Sequence, residues 1–325
     1  MKKLSKKIFL LFLPFLVIVV IFLAFDPMRI VYSYPTPTLP GVLINDRIFQ
    51  ARFLNENAER YHSFILGSSR SKAFKTYSWK KYSGADSAFH LGVNDETLFG
   101  VTKKLEYLNK KNIKLKNVLI ILDHRLLSLD KNQEAHIFRE HPDVSGENSI
   151  QFYKKFFIAF LKPDFIRAYI DWSRTHVYKE YMKNYIFKEN YQYINNTGDV
   201  NYVGYESEIR ADSVKYYSEH RSIFYTRKPT ILKPILTDDA KKYLTQIKAV
   251  FDKSSADYRI IITPNYDQAT LDPADKKFLR EVFKDKNVFD FSGVNTITNN
   301  IGNYYEEKHF KPYISNMLMD SVYSK

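Results

Sequence analysis

"NVLIILD", residues 117–123, is the stretch on which the fold turns. Five apolar residues in a row, with no polar residue between them, read as a strand buried on both faces, as strands of a parallel sheet do. Working outward, the neighbouring segments alternate in type. Upstream, residues 64–66 (Phe-Ile-Leu) read as a short buried strand and residues 88–91 as a second. Residues 96–111 carry Leu98, Val101, Leu105 and Leu108 on one helical face, with lysines opposite. Downstream, Thr237 caps a helix that turns Leu244, Ile247 and Phe251 inward. "YRIIITP" (258–264) is another buried strand, Asp272-Pro273 opens the next helix, and "NVFDF" (287–291) is a further strand. Pro312 begins a last helix with Ile314, Met317, Leu318 and Val322 inward. This alternation predicts an α/β fold, a parallel sheet flanked by helices.

Composition bounds the function. The 325 residues suffice for one large domain or two small ones. With no cysteine, disulfides, thiolate metal sites and cysteine catalysis are excluded. The formal charge is +13, of which Lys2, Lys3, Lys6 and Lys7 supply four, leaving +9 on the remainder. Such a balance suits nucleic acid, anionic lipid or an anionic polymer. The N-terminus chooses among them. Residues 8–25 (IFLLFLPFLVIVVIFLAF) are apolar throughout, near the roughly 20 residues that cross a bilayer. The flanking lysines place residues 1–25 as a cytoplasmic start and single-pass transmembrane anchor, with the rest extracytoplasmic. A cleaved signal peptide, the competing reading, wants a shorter apolar core and an Ala-x-Ala-like site, which Leu23-Ala24-Phe25-Asp26-Pro27 matches poorly. The expected partner is therefore the membrane and its anionic envelope, not nucleic acid.

Residues 26–60, with Pro27, Pro35, Pro37 and Pro40, read as an extended juxtamembrane linker. The α/β domain then spans 61–325, interrupted at about 130–232 by a segment rich in Tyr, Phe and Lys, read as a mostly helical insertion. Its aromatics either form a subdomain core or present an amphipathic surface to the bilayer or a membrane partner.

In a parallel sheet, function gathers at the carboxyl ends of the strands. "SFILGSSRSKAF" (63–74) ends its strand in Gly67-Ser68-Ser69-Arg70, a tight turn whose backbone N–H groups suit an oxyanion. A serine there needs a base, and "NYYEEKHFKP" (303–312) supplies His309 with Glu306 three residues before it. Glu307 adjoins and competes for the role of orienting the ring. Arg70 either steadies a substrate carboxylate or phosphate or pairs with an acid at the helix start. Asp123 and His124, at another strand end, are lesser cleft candidates. Glu-x-x-His lacks further ligands at recognisable spacing, so no metal and no cofactor are expected.

The first-strand "ILGSSRS", the serine-early and acid-x-x-His-late order and the terminal helix together resemble the SGNH/GDSL hydrolase superfamily, over residues 60–130 and 235–325. The resemblance implies a flavodoxin-like sheet, Ser69 as nucleophile, His309 as base and Glu306 as its orienting acid. "HLGVNDET" (90–97) resembles the second block, which places Asn94 and Asp95 at the oxyanion turn. Two departures stand out: Asp95 occupies the second-block glycine position, and Asp123-His124-Arg125 replaces the third-block asparagine. The membrane-anchored variants that this chain resembles act beside membrane-bound O-acyltransferases on envelope polysaccharides. That implies an acyltransferase or esterase handling a small acyl group, acetyl, on a cell-envelope glycan, with such an O-acyltransferase as partner. The altered blocks keep a second reading open, a catalytically silent scaffold in an envelope-assembly or O-acylation complex.

Overall fold

The computed structural model describes residues 2–34, 41–187 and 191–324, with side chains left out at 2–6, 8 and 9. Strands β1 (Ser63–Gly67), β2 (Phe89–His90), β3 (Asn117–Leu122), β4 (Asp257–Ile262) and β5 (Val288–Asp290) form one five-stranded sheet. The order is 2-1-3-4-5 and every adjacent pair is parallel. "NVLIILD" is thus the central strand, with Ile120 set between Leu66 and Ile260. In this doubly wound order the connections leave β1 in opposite directions, and a crevice opens at the carboxyl ends between β1 and β3.

In chain order the helices that shape the molecule are α1 (Lys2–Phe25), α2 (Asp46–Asn57), α3 (Thr76–Ser83), α4 (Leu98–Lys110), α5 (Ser149–Phe160), α6 (Pro163–Thr175), α7 (Asp238–Ser254), α8 (Pro273–Phe283) and α9 (Pro312–Tyr323). Side chains alternate across the strands. Phe64, Leu66, Val118, Ile120, Ile260 and Ile262 pack on one face with residues of α2, α4, α7 and α8. Ile65, Leu119, Ile121 and Ile261 pack on the other with Trp79 of α3 and Ile314, Leu318 and Met319 of α9. Both faces are covered, which is why the strands read as unbroken apolar runs. Each fully buried side chain of this kind contributes about 1.5–3 kcal/mol.

The expected caps are present. Thr97 Oγ1 accepts from Gly100 N at 2.9 Å, Thr237 Oγ1 from Ala240 N at 3.0 Å, and Asp272 Oδ1 from Ala274 N at 2.7 Å. One inward residue of α9 differs. Met317 is 48% exposed and Met319 is buried in its place. The inward stripe runs through 314, 318 and 322 with 315 and 319 beside it, and residue 317 falls on the opposite flank.

Residues 26–60 are not an extended linker throughout, although 35–40 lie outside the described residues. α2 begins at an Asn45 cap and buries Ile48, Ala51 and Leu54, so this segment belongs to the folded domain. The interrupting segment is helical at α5 and α6, which break at Pro163, but it also holds short antiparallel ladders. Gly41-Val42 pairs with Ile186-Phe187, and Gln192–Ile194 with Asp199–Asn201.

Its inward aromatics form a core of their own. Phe152, Phe156, Phe160 and Phe165 cluster with Phe22, Met28, Ile30 and Ile48. Ile150, Ile158, Leu161 and Ile170 remain exposed.

α1 contains Pro14, as a membrane helix tolerates, and its apolar side chains from Leu10 to Phe25 are mostly exposed. Among the described residues, however, no helix is long and apolar enough to cross a membrane. Ile8 and Phe9, the first two of the expected run, lie outside the residues whose side chains are described. α1 is clamped at its far end, where Phe22 meets Phe157 and Phe160 with ring centroids 5.3 and 5.2 Å apart.

Leu54→Ala separates a folded α2 from a linker. Truncation should cost about 2–5 kcal/mol in denaturant unfolding, as for a core leucine, where a linker residue would change nothing measurable.

Candidate active site

The site is assembled at the carboxyl ends of the strands from three segments. The first is the turn after β1. Gly67 has φ +154°, and a Cβ there would lie 2.7 Å from the Ile121 carbonyl oxygen, so only glycine lets the strand pass β3 and turn. Ser68 then heads a 3₁₀ turn, Ser69–Ala73, which leaves Ser69 partly exposed and Ser68 buried.

The second segment is a hairpin of β6 (Tyr304–Glu306) and β7 (His309–Phe310), in which Glu306 and His309 are direct cross-strand partners. The acid-x-x-His spacing is realised across this tight turn. His309 Nε2 lies 2.7 Å from Ser69 Oγ, and His309 Nδ1 hydrogen-bonds Glu306 Oε1. Glu306 Oε2 accepts from the Lys308 N–H at 2.8 Å, which sets the carboxylate's angle. Burial alone would raise the Glu306 pKa. The hydrogen bond and charge of His309, with the Lys308 N–H, overcome it and hold the carboxyl below its ordinary value. Glu307 makes only a distant pairing with Lys308 at 4.0 Å, so Glu306 is the residue that orients the ring.

The third segment is the end of β3. Asp123 is fully buried and its carboxylate is saturated. Ser68 Oγ donates to Oδ2 at 2.6 Å, Arg70 Nη1 lies 3.1 Å from Oδ1, and the Arg125 and Leu126 N–H groups donate to Oδ1 at 2.9 and 3.0 Å. Burial again pushes this pKa up. Arg70, Ser68 and the Leu126 N–H prevail and keep it below the usual carboxylate range. Of the two readings for Arg70, pairing with an acid is the one found. Where the resemblance expects an asparagine, Asp123 holds the serine turn instead. His124 Nδ1 meets Asn265 Nδ2 at 3.0 Å on the far side of the strand end.

The loop after β2 runs alongside, with Val93 N donating to the Gly67 carbonyl at 3.2 Å. Asn94 Oδ1 accepts from Lys72 Nζ at 2.8 Å, while the Asp95 carboxylate binds Arg125 Nε at 2.8 Å. Neither side chain is free to enter the cleft. Asp95 sits at φ +48°, the left-handed conformation glycine adopts most readily and aspartate tolerates better than most residues. The departure from glycine at this position therefore keeps the turn.

Sequence reading missed a second, buried array beneath the first. Ser71 Oγ donates to the Ser68 carbonyl at 2.7 Å and lies 2.9 Å from His90 Nε2. His90 Nδ1 lies 3.4 Å from Asp199 Oδ1, and Asp199 Oδ2 also accepts from Thr76 Oγ1 at 2.6 Å. Gly92 is packed so closely that a Cβ would fall 2.0 Å from Ser71 Oγ. The interrupting segment reaches the site from above as well. Tyr202 donates its hydroxyl to the Ser69 carbonyl at 3.3 Å, and its ring centroid lies 5.3 Å from that of His309. Tyr216 and Tyr217 donate to the carbonyls of Tyr305 and Tyr304, at 2.7 and 2.8 Å, bracing the hairpin. Nothing local in sequence announces Asp199 or Tyr202. Their partners are far away along the chain.

A serine hydroxyl within hydrogen-bond reach of an imidazole that a carboxylate orients is the arrangement that activates serine as a nucleophile. Compared with known proteins, the chain matches no family model and no curated protein.

Two measurements probe the site's construction. Asp123→Ala strands Arg70 and Ser68 and should lower stability by about 3–5 kcal/mol, read by chemical denaturation. Because Glu306 is held below its ordinary value, its contribution is complete above about pH 4.3 and disappears as pH falls through the folded value. Thermal melts should show the wild type losing more stability on acidification than Glu306→Gln does.

Proposed function

We propose that this chain is an SGNH-like serine acyltransferase or esterase, held at a membrane with its α/β domain outside the cytoplasm. The observation that carries the reading is the 2.7 Å approach of Ser69 Oγ to His309 Nε2, with Glu306 on the other ring nitrogen. Ser69 attacks an acyl ester while His309 takes its proton. The tetrahedral oxyanion is held by backbone N–H groups at Ser69 and at the turn of Asn94 and Asp95. Collapse expels the ester's alcohol, which takes the proton from His309, and leaves an acyl-Ser69. His309 then removes the proton of the acceptor hydroxyl or of water as its oxygen attacks the acyl carbonyl, and returns that proton to Ser69 Oγ as the acyl group departs. Glu306 keeps the ring in the tautomer that accepts at Nε2 and stabilises the imidazolium that forms.

The strand order 2-1-3-4-5 supports an SGNH-like, flavodoxin-like fold, since the serine stands beside the crevice between β1 and β3. The exposed apolar side chains of α1 and the four lysines before them support the membrane anchor. A small acyl group, a cell-envelope glycan as acceptor and an O-acyltransferase as neighbour follow from the resemblance alone.

The scaffold reading is favoured by one observation. At the third-block position the side chain is Asp123, wholly engaged in holding the turn. A fluorophosphonate probe decides between the two. Labelling of the wild type that vanishes in Ser69→Ala and in His309→Ala is expected for the enzyme. Wild type that fails to react, or a Ser69→Ala protein that still labels, would overturn it.

A further inference from the structure

At the base of α1 the chain builds a cavity that the serine chemistry does not use. It measures about 260 Å³, and its lining combines the apolar Ile44, Ile48, Phe49 and Phe53 with the polar Asn45, Tyr34 and Arg29. The polar end is constructed with care. Asp26 and Arg29 both stand at left-handed φ, +38° and +55°. The Asp26 carboxylate accepts from the backbone N–H groups of Ile30, Val31 and Tyr32, at 2.8 to 2.9 Å, and from the Tyr34 hydroxyl at 3.1 Å. The Asp26 carboxylate is therefore spent on folding the turn, and although its charge acts on Arg29 the two form no ion pair. Arg52, the other cation lining the cavity, binds the carbonyls of Ile30 and Tyr32.

What the turn presents is the Arg29 guanidinium. It lies 5.5 Å from the Tyr34 ring centroid, and its Nη1 is buried with no hydrogen-bond partner among the described residues. A buried cationic donor with nothing to bind costs more than almost any other unsatisfied group. Guanidinium suits a phosphate, which it grips through parallel N–H bonds. Glu56 also lines the cavity but is exposed to solvent.

We propose that this cavity receives the phosphate of an anionic lipid headgroup, bound by Arg29, with the glycerol and first methylenes against Ile44, Ile48, Phe49 and Phe53. A free phosphate would gain nothing from that apolar wall, whereas an amphiphile matches both ends. The position fits the source. The cavity's lining begins at Arg29, four residues past the end of α1, whose apolar side chains are exposed, so a headgroup meets it where chain and bilayer surface part. The inference rests on the membrane half of the proposed function and is independent of its serine chemistry.

The test uses the full chain in neutral detergent and compares vesicles of phosphatidylcholine alone with vesicles half phosphatidylglycerol. Arg29→Gln should lose about tenfold of the wild-type preference for the anionic vesicles, the scale of one charge-assisted bond. Lys154→Gln removes an exposed charge outside the cavity and should lose far less. Arg29→Gln should also keep fluorophosphonate labelling at Ser69, which separates this outcome from failure of the catalytic reading. Equal binding by wild type and Arg29→Gln, or an equal loss in Lys154→Gln, overturns the proposal. So does stabilisation by inorganic phosphate that needs Arg29 but comes with no vesicle preference, because the site would then hold a free anion.

Discussion

The geometry of the site depends on one buried carboxylate. Asp123 ties the end of the central strand to the turn after its neighbour, receiving Ser68 and Arg70 from one side and its own helix start from the other. Because it bridges β1 and β3 at the point where the winding reverses, it closes a gap that the sheet itself leaves open. Ser68 spends its hydroxyl on that bridge, and this leaves Ser69, one residue on, at the exposed corner of the turn. An amide at this position would offer Arg70 no charge. Carboxylate and guanidinium form a matched pair that fixes the turn from below.

The segment between β3 and β4 is less an insertion than a brace. It reaches the serine turn through Asp199, His90 and Ser71, lies over it through Tyr202, and supports the histidine hairpin through Tyr216 and Tyr217. At its other end it forms a common core with the residues that follow α1. One segment thus contributes both to the core at the base of α1 and to the surroundings of Ser69.

The parts of the fold that could be read from sequence are those where burial acts locally. β1, β3 and β4 announce themselves because both faces of the sheet are covered, and α4 and α7 because their caps and apolar stripes lie within a few residues. α2 escaped notice for the opposite reason. Its buried face includes Arg47, whose guanidinium donates to the carbonyls of Asn94 and Asp95 at 3.0 and 2.9 Å, so a charged residue occupies a core position. Met317 and Met319 are equally apolar, and only the angle at which α9 meets the sheet distinguishes them. In the site, Ser69, Glu306 and His309 were legible because a turn and a three-residue spacing carry chemical meaning. Asp199 and Tyr202 were not, since their roles exist only once distant segments meet.

The hydrogen bond between Ser69 and His309 joins residues 240 positions apart. During synthesis the amino-terminal strands can pair long before the final hairpin exists, and contacts of such long range form late. An incomplete chain therefore carries a serine with no base beside it, as inert as any surface hydroxyl. On the proposed reading, reactivity at Ser69 is a property of the finished molecule, and a chain truncated before β7 would leave that serine without its base however much of its sheet had formed.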